Sequence, residues 1–296
     1  MDFVPKGIIP PIVTPFDNAG NLDEAAFRRV IEFVIDGGVH GIFPMGTTGE
    51  FYALQEDEYR RILRTAVEAA AGRVPVYAGC NDITTRGVIR LIKIAEQEKA
   101  DAVSVLTPMF IAQTQRELYQ HFKSIADSTY LPVVMYNNKP KTNVTIEPET
   151  VAKLAEIENI VGVKDSTGDF TNTGEYLRLT RGNDNFSVLL GRDTLIYAGL
   201  CYGASGAIAS CANVAPRVAA DIYDKYISGD SAGALDAQFR LAPLRIACNM
   251  GTFPAVIKEG LNMQGIQVGV CLDPIQPISS TEKENLRRVL VDMGLV

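Results

Sequence analysis

Eight short apolar runs alternate with eight stretches of helical periodicity, at intervals of roughly 25–35 residues. The runs are 7–14, 41–45, 74–78, 102–106, 132–136, 160–164, 186–190 and 206–209. The helical stretches are 23–33, 55–71, 84–98, 115–126, 147–155, 173–179, 194–202 and 216–227. The runs are continuously apolar rather than alternating, as expected of parallel strands covered on both faces. The pattern predicts a (β/α)8 TIM barrel over residues 1–228. A doubly wound open sheet is the competing arrangement. It would carry a glycine-rich nucleotide loop after an early strand, and neither G-x-G-x-x-G nor G-x-x-x-x-G-K-[ST] occurs. Residues 229–296 contain three further periodic segments, 230–245, 254–263 and 281–293. They predict a C-terminal helical extension packed on the barrel.

The net charge is −7 and no Lys/Arg-rich run occurs, which argues against nucleic acid or an anionic membrane as partner. No apolar stretch reaches the ~18 residues of a membrane span, and residues 1–7 lack a signal-peptide pattern. Cys80, Cys201, Cys211, Cys248 and Cys271 are odd in number and include no C-x-x-C pair. They read as free thiols of a cytoplasmic protein. His40 and His121 are the only histidines, and no metal site is expected.

An active site on such a barrel lies at the carboxyl ends of the strands. The sixth run, Ile160-Val-Gly-Val-Lys164-Asp-Ser-Thr-Gly-Asp169, delivers an apolar strand straight into one lysine. Burial favours the neutral amine that attack on a carbonyl needs. The alternatives are a lysine that snorkels to solvent or pairs with Asp165 or Asp169. The second run ends in Gly46-Thr47-Thr48-Gly49-Glu50, whose amides and hydroxyls suit a carboxylate or, equally, a helix cap. The fifth ends in Tyr136-Asn137-Asn138; its phenol is either a proton carrier or a packed aromatic. The seventh ends in Gly191-Arg192-Asp193 and the eighth near Ile208. Lysine, tyrosine and carboxylate cradle together suit carbinolamine formation with a 2-oxo acid.

These motifs, in this order and spacing along essentially the whole chain, resemble the dihydrodipicolinate synthase/N-acetylneuraminate lyase family. So does the opening Gly7-Ile-Ile-Pro-Pro-Ile-Val-Thr-Pro-Phe16. The resemblance implies a pyruvate Schiff base on Lys164, Tyr136 as proton shuttle and Thr47 in a proton relay. It implies that Thr48 and its amide hold the oxo-acid carboxylate, in a pocket with Gly46 and with main-chain atoms near Gly191 and Ile208. It implies no cofactor beyond the covalent Schiff base on Lys164, a small 2-oxo acid and an aldehyde as partners, and a homotetramer built as a dimer of dimers.

Two positions depart from the synthases. They carry an aromatic pair after the fourth-strand proline, whose tyrosine reaches a neighbouring subunit; here Met109-Phe110 follows Pro108, and Phe110 has no hydroxyl. They carry an arginine five residues after the tyrosine; here it is Lys141, which cannot form a bidentate grip. Asn138 adds polarity beside it. The expected activity is therefore a carbon–carbon lyase cleaving or forming a 2-keto-3-deoxy sugar acid or related hydroxy-2-oxo acid, with Asn138 and Lys141 on its distal part. The alternatives are a dihydrodipicolinate synthase condensing pyruvate with aspartate semialdehyde, a 2-keto-3-deoxy acid dehydratase, and a non-enzymatic sugar-acid-binding regulatory barrel.

Overall fold

The structure, a computed structural model, describes residues 3–17 and 19–296. Its sheet is parallel throughout and has seven strands: β1 (Gly7–Ile8), β2 (Tyr77–Gly79), β3 (Ala102–Leu106), β4 (Val133–Asn137), β5 (Ile160–Asp165), β6 (Ser187–Leu190) and β7 (Gly206–Ala207). Their order is β1-β7-β6-β5-β4-β3-β2. The second of the eight expected strands, 41–45, does not form a ladder. It makes single parallel bridges, Pro11 to Phe43 on one side and Ile42 to Val76 on the other. Phe43 N–H donates to Pro10 O at 2.9 Å, and Ile42 N–H donates to Pro75 O at 2.9 Å. Prolines at 10, 11, 44 and 75 explain the shortfall, because each lacks the N–H that a ladder requires. The segment nonetheless lies between β1 and β2, so the arrangement fits a (β/α)8 barrel.

The inner core supports the same reading. Ile9, Phe43, Tyr77, Ala102, Val134, Val161, Leu189 and Ile208 form one buried cluster. Each of the eight apolar runs contributes one of these side chains. A second, larger cluster lies between sheet and helices, as expected of strands buried on both faces. Close strand approach is paid for in glycine: a Cβ on Gly162 in β5 would stand 2.6 Å from Ser187 O in β6.

The helices are α1 (Glu24–Asp36), α2 (Glu56–Ala70), α3 (Thr85–Gln97), α4 (Gln115–Ala126), α5 (Lys139–Thr142), α6 (Pro148–Leu154), α7 (Phe170–Leu179), α8 (Ile196–Cys201), α9 (Pro216–Ile227), α10 (Ser231–Ala247), α11 (Ala255–Met263) and α12 (Ser280–Asp292). Their starts follow capping chemistry: Asp23 accepts from Ala26 N–H and Thr84 from Gly87 N–H. One helix was not legible. The turn α5 lies directly after β4, with Pro140 in its first turn, where a proline is tolerated. Among the described residues, no helix is long and apolar enough to cross a membrane.

Candidate active site

Parallel pairing of β4 with β5 sets Tyr136 beside Lys164. Both side chains point into the barrel mouth. Lys164 is 4% exposed, and its Nζ lies 3.8 Å from the Tyr136 ring centroid and 5.2 Å from that of Phe43. Burial holds the Lys164 ammonium below the ordinary lysine pKa, against the opposing pull of Tyr136 and Asp193. Burial alone would push the Tyr136 phenol up. The Lys164 charge, with hydrogen bonds from Thr47 and Ser166, outweighs it and draws the phenol below the usual tyrosine value. The two candidate partners of Lys164 face elsewhere. Asp165 accepts from Asn137, Asn172, Thr173 and the Thr167 amide, and Asp169 caps α7.

Thr47 and Thr48 come from the loop that follows the bridged segment. The Thr47 hydroxyl lies 3.4 Å from the Tyr136 hydroxyl. Thr48 is 2% exposed and lines the same cavity as Lys164. Among the described residues its hydroxyl and amide hold no hydrogen bond, so the amide is free to donate, and the hydroxyl to donate or accept, within the cavity. Gly46 shapes the turn rather than lining the cavity; its carbonyl accepts from the amides of Gly49 and Phe51. A Cβ on Gly79 would meet Met45 O at 2.1 Å, so β2 must present glycine for this loop to lie against it. Gly191 and Ile208 line the cavity as expected. The Gly191 amide donates to Asp165 O at 2.7 Å.

The cavity measures about 450 Å³ and also admits Asn138 and Lys141. The Asn138 side-chain amide donates to the Tyr136 hydroxyl at 2.8 Å. The hydrogen bond fixes the orientation of the Tyr136 hydroxyl. Lys141 is brought over the mouth by α5. A contact to the distal part of the substrate predicts that Lys141→Ala raises KM by about one to two orders of magnitude, the value of a charge-assisted hydrogen bond. Little change in kcat is expected, since such a contact is made in ground and transition states alike. Pyruvate adduct formation should survive; equal loss of both activities would remove Lys141 from this role.

Among the described residues, no group of three or more His, Cys, Asp and Glu side chains is placed to hold a metal ion. A sequence model of the Dihydrodipicolinate synthetase family matches residues 4–293. The chain belongs to this family. The 4-hydroxy-tetrahydrodipicolinate synthase of Syntrophus aciditrophicus is 40% identical over 292 residues, covering 98% of this chain and 99% of the relative. The crystal structure of dihydrodipicolinate synthase from Thermotoga maritima superposes with a TM-score of 0.95 at 34% identity, covering 98% of this chain and 99% of that one. A prophage protein of the dihydrodipicolinic acid synthase family from E. coli K12, solved in complex with pyruvate, gives 0.95 at 32% identity, with 98% and 99% covered. As a member of the dihydrodipicolinate synthetase family, the chain is a carbon–carbon lyase of the pyruvate-dependent class I aldolase type.

Against that family background, several cavity residues had escaped notice in the sequence. Ser166, Arg245, Cys248, Asn249, Thr252 and Phe253 line it. All but Ser166 belong to α10 or the segment after it. No strand-end signal marks them, and only packing of the C-terminal helices brings them in. Asp193 is 2% exposed, accepts from the Cys211 amide at 2.7 Å and from Ser210, and lies 3.6 Å from Arg245. Phe110 does not line this cavity. It is 88% exposed and held at φ 80.

Proposed function

We propose that this enzyme condenses pyruvate with an aldehyde that carries its own carboxylate, of the aspartate semialdehyde kind. One observation carries the choice of aldehyde. Lys141 and Arg192 both line the Lys164 cavity, and among the described residues neither is in an ion pair. The Arg192 Nε is buried without a hydrogen-bond partner. A pyruvyl carboxylate on Thr48 leaves the buried Arg192 Nε unpartnered, and a second carboxylate would supply that partner within reach of Lys141 at the solvent-exposed mouth. The names of the curated relatives support the same reading.

The steps use groups already described. Neutral Lys164 Nζ attacks the pyruvate C2, and loss of water with uptake of one proton from solvent leaves an iminium. Thr48 and its amide hold the C1 carboxylate. The Tyr136 phenolate takes a proton from C3, giving an enamine and a neutral phenol. The enamine C3 attacks the aldehyde carbon, and Tyr136, backed by Thr47 and Asn138, returns a proton to the new alkoxide. Water or an amine then displaces Lys164.

A second reading is cleavage of a 2-keto-3-deoxy sugar acid through the same iminium. Phe110, which has no hydroxyl to complete a two-tyrosine relay, favours it. The deciding experiment runs both reactions on one preparation: condensation with aspartate semialdehyde, and pyruvate release from a panel of 2-keto-3-deoxy acids. Condensation is expected to be the faster by kcat/KM; sugar-acid cleavage exceeding it would reverse the assignment. Sedimentation of the same preparation reads the assembly, for which the family resemblance and the exposed Phe110 support a homotetramer. In this proposal residues 229–296 are an appendix of the barrel, since α10 lines its cavity, and the free cysteines suit a cytoplasmic protein.

A further inference from the structure

The loop that presents Thr47 and Thr48 is bracketed by two residues in the left-handed region, Met45 at φ 55 and Glu50 at φ 56. Neither is glycine, so this conformation is unfavourable by itself and persists only where the surroundings impose it. What imposes it at Glu50 lies outside the barrel. The Glu50 carboxylate is fully buried and meets Lys258 Nζ, in α11, at 2.6 Å. Its other oxygen accepts from the Leu272 amide at 2.8 Å. Lys258 is 1% exposed, donates to Val270 O at 2.9 Å and lies 4.5 Å above the Phe16 ring. Thr14 adds one neutral tie, its hydroxyl donating to Gly49 O at 2.7 Å.

A buried ion pair is a poor device for stability alone, because desolvation offsets most of its Coulomb gain and an apolar pair of similar volume does as well. What it supplies is a single permitted geometry. Neither side chain lines the Lys164 cavity. We propose that Glu50 and Lys258 are positioning residues: their ion pair, with the Leu272 amide, fixes the left-handed backbone at Glu50 and so aims the Thr48 hydroxyl and amide at the substrate carboxylate. The proposal rests on the Schiff-base reading of Lys164 and deepens it.

Its signature is selective. A disordered cradle weakens the hold on a carboxylate but leaves the amine of Lys164 as reactive as before. Borohydride trapping is therefore run with two carbonyl compounds, pyruvate and acetaldehyde, the second having no carboxylate. In Glu50→Gln and in Lys258→Met the half-saturating pyruvate concentration should rise by about 10–100-fold, the loss of a charge-assisted hydrogen bond. The rate of acetaldehyde trapping should stay at the wild-type value. Lys258→Arg, which keeps the charge, should restore much of the pyruvate affinity. Parallel loss with both carbonyls in Glu50→Gln and Lys258→Met, or unchanged pyruvate saturation in both, would overturn the proposal. Absence of any adduct on Lys164 in the wild type would instead overturn the Schiff-base reading, so the two failures are distinct.

Discussion

Borohydride reduction in the presence of pyruvate should deposit one adduct per chain, on Lys164 and on neither Lys141 nor Lys258. Lys164→Ala should abolish it and lower turnover by more than about 10⁴-fold, as expected when a covalent route is removed. Peptide mass mapping locates the adduct; finding it on another lysine would sink the mechanism. The site also sets the pH dependence. Burial depresses the folded-state pKa of Lys164, so the neutral nucleophile predominates above a midpoint lower than that of a free lysine. The trapping rate should rise with pH through that midpoint and then level off. Between the depressed value and the ordinary lysine value, the unfolded chain binds more protons than the folded one, so stability rises with pH there. Lys164→Met should accordingly raise Tm at neutral pH, by a margin that shrinks as pH climbs toward the ordinary lysine range.

Tyr136→Phe separates proton transfer from covalent capture. Loss of a general acid–base typically costs ~10²–10⁴-fold, and that fall is expected in kcat. Lys164 keeps its apolar surroundings, since the phenyl ring remains, so the pyruvate adduct should still form. Rapid-quench measurement of adduct alongside steady-state turnover tests this. A variant that loses adduct and turnover equally would show that Tyr136 serves imine formation itself, and unchanged turnover would remove it from the chemistry. Thr47 lies 3.4 Å from the phenol and Asn138 2.8 Å. Asn138→Ala should therefore disturb Tyr136 more than Thr47→Val does.

How far the chain could be read depended on whether a signal was local. Strands were legible where apolar residues enter a turn directly, as at 102–106, which forms β3 over the same residues. Lys164, Tyr136 and the two threonines were legible for the same reason, because each stands at the end of such a run. The segment 41–45 was overread, because its apolar content promised a ladder that the surrounding prolines cannot hydrogen-bond. Arg245 and Phe253 carry no sequence sign of their place in the cavity wall. Helical periodicity records which face of α10 is buried, not which cavity its end approaches. Asn138 was placed with the substrate on polarity, whereas geometry puts its amide on the Tyr136 hydroxyl. Glu50 follows the Thr47-Thr48 motif with no local sign of a partner, which lies 208 positions away, at Lys258.

That separation has a consequence in time. A ribosome adds residues in order, and Glu50 emerges long before Lys258. All eight apolar runs can be outside the exit tunnel while the carboxylate at position 50 still has no cation to meet. Until α11 packs, that carboxylate lacks the cation that makes its burial tolerable, and burying it unpaired is strongly disfavoured. The nascent barrel therefore has reason to keep this corner open and wet until the last helices arrive. On this order of events the cradle proposed at Thr48 takes its final shape only when the last helices pack.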